Sequence, residues 1–157
     1  MSVIEKWFWL IAIGVTCLNA YLLHSRAQQE IARNPELADG YRQLITGHLI
    51  LFNLPWLVMG LGMLLGRTHD VFEYLNPGSG NPYVVGFHVS GIIESALISY
   101  WIYVANGAEV LITHPGVMNV DIKSPLVLKL FFAIGLLGGV AAEILIWSGR
   151  LPVRTFG

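Results

Sequence analysis

The sequence predicts an all-α integral membrane protein, a four-helix bundle running up-down-up-down, with the hairpin between helices one and two extended beyond the bilayer. Three observations carry that expectation. Of 157 residues, 55% are hydrophobic and 12% charged, about half the usual charged share of a soluble domain. Four apolar stretches, 3–23, 44–65, 84–104 and 125–147, each have about the twenty residues needed to cross roughly 30 Å of hydrocarbon. Pairs that favour turns and caps cluster between those stretches: Asn34-Pro35, Asn76-Pro77, Asn81-Pro82, Asn106-Gly107 and Ser124-Pro125. The chain is long enough for a single domain, 1–157. A net charge of -1 supplies no field for nucleic acid.

Helix one is expected over about 3–33. Trp7 and Trp9 read as interfacial anchors, and the near-cancelling Glu5 and Lys6 are unlike the basic leader of a signal peptide, so an uncleaved membrane helix is expected. Cys17, the single cysteine, reads as a small packing residue. After the apolar stretch, HSRAQQEIAR keeps to helix formers, and Asn34-Pro35-Glu36 supplies a cap, a first-turn proline and an acid for the next start. Helix two is expected over about 35–66, with Gly40 its weak point and a kink where Pro55 removes a backbone donor. Asn53 is placed to satisfy a freed carbonyl or to bond helix one at Thr16 or Asn19.

The next connection, RTHDVFEYLNPGSGNPY, is turn chemistry, with Phe72 and Tyr74 expected as interfacial anchors. Helix three is expected over about 84–106, followed by a short amphipathic helix over 108–114 lying on the membrane surface and stopped by His114-Pro115-Gly116. Helix four is expected over about 125–148, with Gly135 and Gly139 spaced for close helix packing within the bundle. An even number of crossings puts both termini on one side, here X, with Y opposite. Side X carries Lys6, Arg67, Arg150 and Arg154, and side Y carries Arg26, Arg33, Arg42 and Lys123, so the positive-inside rule leaves orientation open.

Ionisable residues inside apolar stretches are rare because they are costly in lipid. The notable ones are His88, Glu94 and Glu143. At 1.5 Å per residue His88 and Glu143 lie at matching depth, roughly 6 Å from side X, on successive antiparallel helices. A His–Glu pair lowers the cost of burying both. Ser95 shares the stripe of His88, and Glu94 the adjacent one. The polar intramembrane cluster is therefore expected to comprise His88, Glu94, Glu143 and Ser95. No catalytic residue stands out, since nucleophile and phosphate-loop motifs are missing from the sequence.

Three functions compete. The cluster can fix helix register in a non-catalytic accessory or structural subunit that binds other membrane proteins or a second copy of itself. It can carry protons. Histidines can bind a metal or haem b, with His69 and His88 near side X and His24 and His48 near side Y as candidate ligands. The first is preferred, with the redox or proton-handling readings as the alternative, and no cofactor is favoured.

Four phrases, NPELADGYRQLI, NLPWLVMGLG, NPGSGNPYV and YWIYVANGAEVLITHPG, resemble small uncharacterised bacterial membrane proteins with four predicted helices. The resemblance implies the same helix count and a bacterial inner-membrane location. It implies no activity, cofactor or site residue. No motif resembles the four-helix eicosanoid and glutathione membrane enzymes.

Overall fold

The computed structural model describes residues 3–118 and 122–149. Their regular structure is entirely helical: α1 (Val3–Arg33), α2 (Ala38–Leu51), α3 (Leu54–Leu64), α4 (Pro82–Tyr103), α5 (Gly107–Thr113) and α6 (Pro125–Trp147), with short 3-10 turns at Pro35–Leu37, Val71–Leu75 and Pro77–Ser79. Four stretches are long and apolar enough to cross a membrane, as in a multi-pass membrane protein: α1, the run Pro35–Leu64, α4 and α6.

α1 continues well past its apolar stretch, because the helix formers after His24 give it no reason to stop before Asn34-Pro35. At 31 residues it is about 46 Å long, roughly 15 Å more than the hydrocarbon core. Cys17 sits on its exposed face, not in a packed one as expected. Asn34 makes no side-chain cap, and the chain turns through Pro35–Leu37 before α2 begins at Ala38.

The second expected helix is two helices. The ladder breaks at Phe52-Asn53, and Pro55 falls in the first turn of α3, where its missing donor costs little. Asn53 Nδ2 donates to Leu49 O at 2.8 Å, so the side chain replaces a backbone bond. Gly40 lies inside α2. It lets the His114 ring lie directly on the helix, leaving no room for a Cβ.

α4 is capped by Asn81, whose side chain accepts from Tyr83 N at 3.0 Å. It ends at Tyr103, and Asn106 takes a left-handed conformation (φ 57°) to start α5. The expected C-cap glycine, Gly107, is instead the first residue of α5, pressed against the Trp101 ring. The short helix packs one face on the bundle. Its first turn is buried at Gly107 and Ala108 in a cluster with Ile102 and Leu128, flanked by Trp101, Leu111 and Phe132. α6 starts at the Ser124 cap and has Leu128 as its one buried residue.

α1 packs on α2 and α3, α3 on α4, and α4 on α5 and α6. Phe8 meets Trp56 with ring centroids 5.8 Å apart, and the Trp9 ring covers Gly60. Trp56 meets Phe87 at 5.7 Å, and Val58 lies against Gly86. His88 meets Glu143, and Tyr103 Oη donates to Lys129 O at 2.8 Å. In the last pairing residue numbers rise on α4 as they fall on α6. A second cluster, Met59, Met63, Tyr74 and Val84 with Trp9, Trp56 and Phe87 around it, fills the X end.

Candidate functional site: a histidine–glutamate bridge between helices

The site is assembled from a turn inward. Asp70 caps the turn Val71–Leu75 by accepting from Phe72 N at 2.8 Å and Glu73 N at 3.2 Å. That turn drives Tyr74 into the core, where it is 2% exposed. Tyr74 is therefore a buried plug and not the interfacial anchor expected, whereas Phe72 is exposed. Its hydroxyl donates to Met59 O at 3.0 Å and receives a hydrogen bond from Thr68 Oγ1 at 3.0 Å. Burial pushes the Tyr74 phenol above its usual range. The Thr68 hydrogen bond opposes that shift, and Glu73 and Tyr83 add to it.

With Tyr74 fixed, its carbonyl faces α4. His88, 2% exposed, places Nε2 at 2.7 Å from Tyr74 O. A carbonyl only accepts, so Nε2 carries a hydrogen. Nδ1 lies 3.0 and 3.1 Å from the two oxygens of Glu143 on α6. Either an imidazolium donates to a carboxylate or a carboxylic acid donates to a neutral imidazole. Both arrangements hold one shared proton and leave the pair with no net charge, which removes most of the cost of placing it in lipid. Glu143 also accepts from Trp147 Nε1 at 3.2 Å, and the Trp147 ring stands edge-on to His88 at 5.9 Å. Glu143 is 34% exposed, so the bridge is closed on the His88 side and open on the other.

The pairing of His88 with Glu143 is the one expected from matching depth. Glu94 and Ser95 do not join it. Glu94 is six residues further along α4, roughly 9 Å of rise, and makes no hydrogen bond or ion pair among the described residues. Ser95 is exposed and contributes its carbonyl to Ser99 Oγ at 2.6 Å. Tyr74, Thr68 and Trp147 were not legible as members. Trp147 had a usable signal, because it follows Glu143 by four residues and so shares its helix face.

The remaining histidines are not gathered. His24 is exposed and lies 3.4 Å from the Gln28 amide, and His69 is exposed and bonded to Glu73 at 3.2 Å. The His48 ring packs on Phe52 with ring centroids 4.7 Å apart, and its buried Nε2 has no hydrogen-bond partner among the described residues. His88 has both nitrogens engaged, which leaves no lone pair for an iron in this arrangement. No group of three or more His, Cys, Asp or Glu among the described residues could hold a metal ion. Gly135 and Gly139 make no close packing contact in the chain, since an added Cβ would meet nothing within 4 Å at either, or at Gly138.

A second polar junction closes the Y end. Tyr41 Oη donates to Pro115 O at 2.7 Å, and its ring meets His114 edge-on at 4.8 Å. His114 Nδ1 donates to Val110 O at 2.6 Å. Lys129 of α6 pairs with Glu109 of α5 at 3.3 Å. Chiefly the hydrogen bond from its own backbone amide holds the Glu109 carboxyl below its usual range. Burial opposes that shift and Lys129 assists it.

No protein-family model matches this sequence, and neither the curated proteins nor the solved structures contain a match to it.

Proposed function

We propose that the chain crosses its membrane as an up-down-up-down four-helix bundle and serves as a non-catalytic accessory or structural subunit of a larger membrane assembly. In this reading the Tyr74–His88–Glu143 bridge is structural: it ties the X end of α6 to α4. The observation that carries the proposal is α6. Leu128 is its only buried residue, and open space lies over Gly135, Gly138 and Gly139. A spanning helix tethered at its ends, with small residues unoccupied between, is suited to close approach by another helix, which in lipid depends on packing and not on apolarity.

The test is a Gly135→Leu, Gly139→Leu double variant of the full chain in mild detergent, compared with wild type by native electrophoresis. Wild type should migrate well above the 17.3 kDa chain. The variant should run as the lone chain while unfolding at the same temperature, because the new side chains meet no neighbour within the chain. A wild-type monomer, or a variant that migrates like wild type, would overturn the reading.

One observation favours proton handling as a second reading: His88 Nδ1 lies within hydrogen-bond reach of both Glu143 oxygens, and Glu143 is 34% exposed. Acid-pulse measurements on proteoliposomes decide it. Proton uptake that is lost in Glu143→Gln would support it, and identical traces would remove it.

A further inference from the structure

The segment after α5 is seated on the Y ends of α1 and α2. His114 is 8% exposed and its ring lies on the backbone of Gly40, where an added Cβ would collide with Nε2 and Cε1. The Tyr41 ring stands edge-on to it at 4.8 Å, and Tyr41 Oη donates to Pro115 O at 2.7 Å. Side-chain carbons of Arg26 on α1 lie beside Gly116. α2 packs chiefly on α1, and α5 on α4 and α6, so residues 114–116 join two packed groups of helices.

Hydrogen-bond accounting fixes the state of the ring. Nδ1 lies 2.6 Å from Val110 O, which can only accept, so Nδ1 carries the hydrogen of a neutral ring and Nε2 a lone pair. Nε2 is buried and has no hydrogen-bond partner among the described residues. A second proton would go to Nε2, where it would face the Gly40 backbone instead of an acceptor. Burying an imidazolium in that way is costly. The charged groups around the seat do not relieve the cost. On α1 Glu30 pairs with Arg33, on α2 Asp39 pairs with Arg42, and on α5 Glu109 pairs with Lys129 of α6. Arg26, beside Gly116, adds a like charge. An imidazole in water, by contrast, takes up its second proton at about pH 6.5.

We infer that His114 is a proton-released latch at the Y end: the neutral ring holds residues 114–116 on α1 and α2, and the doubly protonated ring leaves Gly40 and takes that segment with it. Tyr41 then loses Pro115 O, and the hairpin of α1 and α2 is freed from α5. Because only the released ring has a place for the second proton, acid favours release. The ratio of released to seated chains should grow about thirtyfold from pH 8 to pH 5.

The experiment is double electron–electron resonance on the full chain in detergent, with spin labels at Glu36→Cys and Val117→Cys and the native thiol removed by Cys17→Ser. Glu36 is exposed, and Cys17 lies on an exposed face. At pH 8 one distance should dominate, and at pH 5 a longer one should gain about thirtyfold on it. His114→Asn, which keeps a donor for Val110 O but does not titrate, should hold the ratio constant. Glu109→Gln should respond like wild type, because that carboxyl meets Lys129 and not the ring. Tyr41→Phe removes the bond to Pro115 O and should raise the released share about fivefold at either pH. That variant also brings release into range where wild type releases too rarely to see. A ratio that changes by less than about threefold in both wild type and Tyr41→Phe overturns the inference. So does a response that survives in His114→Asn or disappears in Glu109→Gln. Where His114→Asn does not fold, Gly40→Ala decides in its place. Its Cβ takes the seat of the ring, so the segment should be released already at pH 8, and a chain still seated there counts against the latch.

Discussion

Because a backbone carbonyl can only accept, the contact of His88 Nε2 with Tyr74 O assigns one ring proton and leaves Nδ1 for Glu143. Substitution at position 143 follows from that assignment. Glu143→Gln keeps a partner for Nδ1, since the amide can donate to a neutral ring or accept from a charged one. Glu143→Leu strands Nδ1, at a cost of about 1–3 kcal/mol. In detergent the glutamine variant should melt close to wild type and the leucine variant clearly below it. Equal melting of the two would mean that the hydrogen bond does not tether α6. Glu94 contrasts with this. It lies deeper in the span and makes no hydrogen bond or ion pair among the described residues, so Glu94→Leu should melt at or above wild type. A large drop would reveal an interaction beyond the chain.

At the scale of elements, glycines inside helices have opposite roles that only their surroundings separate. Gly14 of α1 faces open space, and Gly40 of α2 lies under the His114 ring. Alanine favours a helix interior over glycine by about 1 kcal/mol. Gly14→Ala should therefore stabilise slightly, while Gly40→Ala should cost about 1–3 kcal/mol through overpacking against an imidazole. Thermal unfolding of the two single variants checks the pair, and a stabilised Gly40→Ala would show that the Y-end junction yields easily. The break between α2 and α3 belongs to the same scale. Pro55 announces it, but Asn53 makes it tolerable by supplying a donor to Leu49 O within the span.

For the whole molecule, α6 is held to the rest at two ends, by Glu143 toward X and by Tyr103, Lys129 and Glu109 toward Y. Two groups outside the spans contribute to how stability depends on pH. Glu109 has a lowered folded value, so its contribution is present above its ordinary 4.5 and is lost as pH falls through that folded value. Tyr74 has a raised folded value, so its contribution is complete below 10.0 and is lost as pH rises through that folded value. Thermal stability in detergent should fall at both edges. Glu109→Gln should flatten the acid edge and Tyr74→Phe the alkaline one. An acid edge unchanged in Glu109→Gln would assign it to another carboxyl.

Composition and segment length by themselves determined that the chain is helical and that four of its stretches can cross a membrane, because hydrocarbon thickness sets a length any apolar run can be measured against. The depth match of His88 and Glu143 was equally readable, since rise per residue is constant along a helix. Tertiary structure decided the rest. Tyr74 faces inward only because Asp70 caps the turn that aims it. Gly40 is occupied and Gly139 is open because of which helix lies beside each. Ser95 stands apart from the bridge because a shared helix face does not supply a neighbour at the same height. Periodicity along one helix says which side chains point together, but what they meet depends on elements distant in sequence.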